Sequence, residues 1–273
     1  MSLKKEPSGR RSVQVEVEVP GTPEEVWAAI ATGPGISSWF VPARVEEENG
    51  VPKRLICNFG PGMESIADVT AWDPPRRLAA ENSWAPNMPT MATEWIVEAR
   101  AGGKCMVRVV HSLFATNDDW DNQLESTEKG WPGFFRILKL YLTHFRTMRC
   151  SPIQVIGFAS KPLAGAWEDL AGSFALTGVR EGQQWRAPRS GVPALAGVVE
   201  SLGEGNHPSV LLRVSEPAPG VVHFGAFDCG AVQVMVALYL YGDKAAAVAA
   251  REEPAWQKWM SERFPMPTGA PTA

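Results

Sequence analysis

Histidine and cysteine are scarce in this chain, four of each among 273 residues, and their placing removes whole classes of chemistry. Cys57, Cys105, Cys150 and Cys229 form no C-x-x-C pair, and none of His111, His144, His207 and His223 has a second His or Cys at ligand spacing, so no metal site is expected. Cysteines this widely spaced read as reduced, mostly buried thiols of a cytoplasmic protein. The sequence also lacks a P-loop, a G-x-G-x-x-G turn, an H-E-x-x-H helix and a G-x-S-x-G elbow, which withdraws support from the common nucleotide-dependent and hydrolytic classes; no cofactor is expected. Long apolar runs are missing as well. The stretch around residues 231–240 is broken by Gln233 and falls far short of the roughly 20 residues of a membrane span. Residues 1–11 are polar and basic, without the apolar core of an export signal. Nor does one sign of charge dominate. The net charge is −4, and residues 1–149 hold 17 basic and 19 acidic side chains against 9 and 11 in the remainder, a balance that predicts neither nucleic acid nor an anionic lipid surface as partner.

What is present is concentrated in residues 13–40. Valine occupies positions 13, 15, 17 and 19 with Gln14, Glu16 and Glu18 between them, the period of a strand with one buried face. Thr22-Pro23-Glu24-Glu25 then spells a capping box: Thr22 at the N-cap, Pro23 at the first helical position and Glu25 three residues after the cap. The helix carries Val26, Trp27 and Ile30 on one face and is expected to end at Gly33-Pro34-Gly35, before a short segment closing on Trp39-Phe40. This run resembles the opening of the START-like, or helix-grip (SRPBCC), superfamily, most closely the branch related to activators of the heat-shock-protein-90 ATPase, and the resemblance spans residues 13–148. It implies an α+β fold in which a curved antiparallel sheet wraps around a long C-terminal helix. Members bind lipids, sterols or polyketides, perform cyclisation or dehydration, or assist chaperones, so the resemblance specifies fold better than activity.

The residues downstream agree with that plan. Strand patterns at 41–45, 55–59, 65–72, 77–83, 90–100 and 104–114 are separated by turn chemistry, Asn49-Gly50, Gly60-Pro61-Gly62, Asp73-Pro74-Pro75 and Gly102-Gly103, which describes an antiparallel meander. Residues 118–128 read as helical or irregular. Trp131, Phe134, Phe135, Leu138, Leu142 and Phe145 follow at helical spacing, and Pro132 predicts that the regular helix begins near Gly130, with a kinked continuation from upstream as the alternative. Its apolar stripe has only the sheet to pack on.

The second half repeats the order of elements. A strand at 151–158, a helix opened by Ser160-Lys161-Pro162 with Trp167 and Leu170 inside, strands at 194–201, 210–215, 221–227 and 231–241, and a helix from Asp243 with Trp256, Trp259, Met260 and Phe264 echo the first half, which points to a duplication. Residues 179–192 are rich in Gly, Arg and Pro, so this copy should be degenerate, with fewer strands. The expected domains are a helix-grip domain over 12–149, a second over 150–265, and a flexible tail over 266–273.

Candidate site residues follow from parity. His111 shares a strand face with Cys105, Val107, Val109 and Leu113 and should point inward, where a catalytic or ligand-bonding role competes with a structural one; the structural one is favoured. Trp95 should face the helix bearing Phe134 and Phe135. The resemblance implies a cavity between sheet and helix, with Trp39 and Phe40 at its mouth and Trp84, Trp95, His111, Trp131, Phe134, Phe135 and Leu138 around it. Glu46-Glu47-Glu48 and Glu252-Glu253 read as solvated charge at element ends. A protein that binds a hydrophobic or aromatic small molecule is the expectation. An enzyme of the cyclase or dehydratase kind, using a cavity histidine, is the alternative. A co-chaperone-like interaction module is disfavoured, because chaperone activators join the grip to a domain of another fold and no basic docking face is evident here.

Overall fold

Local chemistry fixes the first elements. In the computed structural model, which describes residues 3–60, 62–83, 89–115, 117–203, 205, 207–228 and 230–265, the short strand β1 (Lys4–Lys5) pairs with β2 (Arg10–Pro20), which carries the alternating valines. Thr22 and Glu25 then form the expected reciprocal capping box on α1 (Pro23–Ala31), an arrangement that contributes about 1 kcal/mol. The helix stops earlier than the glycines suggest. Thr32 turns extended and its hydroxyl accepts from the Gly35 N–H at 3.0 Å, so Gly33-Pro34-Gly35 opens a one-turn helix, α2 (Gly33–Ile36), instead of ending α1. Gly35 is required there, because a Cβ would collide with the Ala28 carbonyl.

The meander follows as β3 (Ala43–Glu48), β4 (Val51–Asn58), β5 (Glu64–Asp73), β6 (Arg77–Asn82), β7 (Met91–Arg100) and β8 (Lys104–Phe114). Asn49 and Gly50 both take positive φ, 54° and 76°, so a tight hairpin brings β3 and β4 flush to the turn. That moves both strands from their expected places and makes Glu46-Glu47-Glu48 part of an edge strand, where a run of carboxylates discourages further pairing. The sheet order is β1-β2-β8-β7-β6-β5-β4-β3, with Val13 opposite His111.

After β8 the helix α3 (Asp121–His144) runs for 24 residues with Pro132 inside it, nine residues longer at its start than the proline suggests. Two causes are visible. Leu124 and Trp131, two turns apart on one face, are both buried upstream of the proline, and their burial offsets the one hydrogen bond that Pro132 cannot make. The helix start is also clamped: Arg11 reaches Asp121 at 2.6 Å and Asp118 at 2.8 Å, while Lys5 reaches Asp118 at 3.1 Å. Carboxylates at a helix N-terminus complement its dipole.

The chain divides into two compact units, residues 1–146 and 147–273. The second comprises β9 (Cys150–Phe158), α4 (Leu163–Ser173), β10 (Gln184–Arg186), β11 (Ala196–Gly203), β12 (Ser209–Glu216), β13 (Gly220–Asp228), β14 (Val232–Tyr241) and α5 (Ala245–Arg263). Its sheet order, β10-β11-β12-β13-β14-β9, joins the strand before its first helix to its last strand, as β2 joins β8 in the first unit. The helix-grip plan is therefore used twice, with fewer strands in the second unit. The strand β10 lies in the segment read as Gly, Arg and Pro rich, and buried Trp185 holds it to the core. The proposed tail over 266–273 and Cys229 lie outside the described residues. Among the described residues no helix is long and apolar enough to cross a membrane.

In the second unit α5 ends directly on β9: the Phe158 N–H donates to the Phe264 carbonyl at 3.2 Å, and a Cβ on Gly157 would collide with Phe264. Gly157→Ala should therefore destabilise this unit by about 1–3 kcal/mol. Gly172→Ala, in open space on α4, should stabilise it by about 0.5–1 kcal/mol. Urea denaturation of the two variants beside the wild type checks the opposite signs.

Candidate functional site

Inward parity on the meander and the apolar stripe of α3 enclose a cavity of about 320 Å³ in the first unit. On the sheet, Leu78, Trp95 and Val109 share one row across β6, β7 and β8, and Ala80, Thr93 and His111 the next, so a small, a hydroxylated and an imidazole side chain stand side by side. Ala80 leaves open the space that a larger residue would fill. From the helix side, Trp131 meets Trp95 edge to face at 5.0 Å and Phe40 in a stacked contact at 5.3 Å, and Phe134 meets Phe40 edge to face at 4.6 Å. These offset and perpendicular contacts suit the ring quadrupoles and make the walls stiff.

Of the residues expected from the sequence, Trp39, Phe40, Trp95, His111, Trp131 and Phe134 border the cavity. Phe135 and Leu138 do not. They are buried behind the wall: Phe135, against Trp95 and Trp131, is on a different face of α3 from Phe134, and Leu138 lies one turn beyond it. Trp39 is a wall and not a rim: it is 1% exposed, and its indole N–H donates to the Ala29 carbonyl of α1 at 2.9 Å. Trp84 lies outside the described residues.

Sequence reasoning missed a polar fringe. Asn82 donates to the Ser65 hydroxyl at 3.0 Å on the sheet, and Gln123, Ser126 and Thr127 border the cavity from the first turns of α3. The helical three were hidden by the expectation that the helix begins near Gly130. Thr93 could have been found, since it shares parity with Trp95.

His111 is the most constrained group of the site. It is 5% exposed, its Nε2 lies 2.7 Å from the Trp131 indole nitrogen, and its Nδ1 lies 3.0 Å from the Thr93 hydroxyl. Burial pushes its pKa down to about 4, so it is neutral at pH 7. The indole N–H occupies the ring's one lone pair, which a general base would need. Both partners are side chains, which fits the structural role favoured from the sequence. Cys57, also on the cavity wall, has its thiol pushed up to about 12 by burial and behaves as a small apolar group with no nucleophilic thiolate. Among the described residues no cluster of His, Cys, Asp and Glu could hold a metal ion.

The depressed histidine couples stability to pH. The unfolded chain takes up this proton near pH 6.5 and the folded one only near 4, so the contribution is whole above pH 6.5 and is lost as the pH falls through that window. The loss should reach about 3 kcal/mol. His111→Gln should remove that slope, read as the difference between variant and wild type in urea midpoints over pH 4–7.

Comparison with known proteins adds a family match over part of the chain. The model of the polyketide cyclase / dehydrase and lipid transport family matches residues 10–136. No curated protein matches the chain. Among solved structures, CalU16 from Micromonospora echinospora is 19% identical over 52% of this chain and 83% of its own, with a TM-score of 0.41. The di-domain ARO/CYC protein BexL of the BE-7585A biosynthetic pathway is 15% identical over 96% of this chain and 100% of its own, with a TM-score of 0.44. The Aha1 protein of Colwellia psychrerythraea is 19% identical over 48% of this chain and 95% of its own, with a TM-score of 0.38. Likenesses of this degree leave the activity to be argued from the site. Residues 10–136 thus match the model of the polyketide cyclase / dehydrase and lipid transport family and carry the strand order of a helix-grip domain.

Proposed function

We propose that the first unit binds a hydrophobic, aromatic small molecule between its sheet and α3. The observation that carries this reading is the cavity itself: about 320 Å³, walled by Trp39, Phe40, Trp95, Trp131 and Phe134, with a few polar side chains at fixed points. That volume and that mixture are those of small-molecule sites. Stiff aromatic walls cost little conformational entropy when a flat ring system slides between them. The family description, which joins cyclases and dehydrases to lipid transport, supports a bound apolar molecule without choosing between carriage and turnover. Binding is the reading preferred here, because His111 has no lone pair to offer as a base.

The test uses 9-fluorenone as a flat tricyclic probe, followed by tryptophan fluorescence. Wild-type protein should show saturable quenching and a raised melting temperature. Ala80→Phe, which fills the open row beside Thr93, should weaken binding at least about tenfold while folding normally. An absence of saturable binding by the wild type would sink the proposal.

A further inference from the structure

The hydrogen bonds around His111 can be assigned one hydrogen at a time. An indole N–H can only donate, so Trp131 makes Nε2 of His111 the acceptor across 2.7 Å. A neutral imidazole then has its one hydrogen on Nδ1, and that hydrogen faces the Thr93 hydroxyl oxygen at 3.0 Å. Thr93 therefore accepts from the ring, and its own hydrogen must turn elsewhere. No acceptor for it is found among the described residues. Thr93 borders the cavity, and the neighbour opposite it on β6 is Ala80, whose side chain leaves the space in front of the hydroxyl open.

We infer that Thr93 is a specificity-determining hydrogen-bond donor of this cavity, held in its donating orientation by His111 and Trp131, and that it selects ligands whose apolar body carries an acceptor oxygen such as a ketone or quinone carbonyl. The inference rests on the binding role proposed above and adds the chemistry of the occupant. A molecule without an acceptor would leave the O–H buried and unpaired, which binding disfavours more strongly than the loss of one contact in water would. Ser65 is the rival donor, since it accepts from Asn82 and also borders the cavity.

Two probes of one shape separate these outcomes in the full chain. 9-Fluorenone and fluorene share a tricyclic body and differ by a carbonyl oxygen. The wild type should bind the ketone about tenfold more tightly. Thr93→Val and Thr93→Ala should lose that preference, by weakening the ketone while leaving fluorene within about threefold of wild type, and Thr93→Ser should keep it. Fluorene binding reports an intact cavity, and either folded variant decides the question. A preference that survives removal of the hydroxyl would overturn the inference and leave the binding role standing, with Ser65→Ala as the variant that then loses it. Equal affinity of the wild type for the two probes would overturn it too. Failure of the wild type to bind either probe would overturn the binding role together with the inference.

Discussion

One hydrogen bond, from the Trp131 indole to His111, joins the helix to the sheet at the centre of the first unit. Through His111 it also reaches Thr93 on the neighbouring strand. A buried indole N–H and a buried imidazole would each be costly alone, and pairing them satisfies both. The bond fixes the tautomer of the ring and, through it, the role of Thr93. It also holds Trp131 edge-on to Trp95 and stacked on Phe40, so the wall of the cavity and the polar point inside it share one support.

The second unit shows what the same plan becomes without that bond. Its terminal helix also carries tryptophans, but the indole nitrogens of Trp256 and Trp259 are buried with no hydrogen-bond partner among the described residues. Phe174 lies parallel to Trp256 at 5.5 Å, 4.9 Å from Trp259 and 4.8 Å from Phe224, and these rings belong to the buried core of the unit. Aromatic packing there supplies stability where the first unit has a polar anchor and an open volume. Two units of one topology thus differ in what lies between sheet and helix, which topology does not decide.

Much of the fold was legible because it rests on local chemistry. The capping box at Thr22, the alternation before it, the Asn49-Gly50 turn and the parity of β8 each act within a few residues, and each appears where the pattern put it. The start of α3 was not legible in the same way. Pro132 argues locally for a break, and the opposing forces come from far along the chain: Arg11 and Lys5 on the N-terminal strands, and the burial of Leu124. Gln123, Ser126 and Thr127 were lost from the expected site with that misplaced start.

By itself, then, the sequence determined the repeated strand, helix, meander and helix plan, the inward facing of Trp95 and His111, and the absence of the common cofactor and nucleophile motifs. These follow from periodicity and spacing, which a chain carries with it unfolded. Only the tertiary structure decided that Phe135 and Leu138 pack behind the wall, that Trp39 is buried within it, and that His111 spends its lone pair on an indole. Those outcomes depend on which side chains from distant segments meet at hydrogen-bonding or van der Waals distance, and that is settled when the helix closes on the sheet.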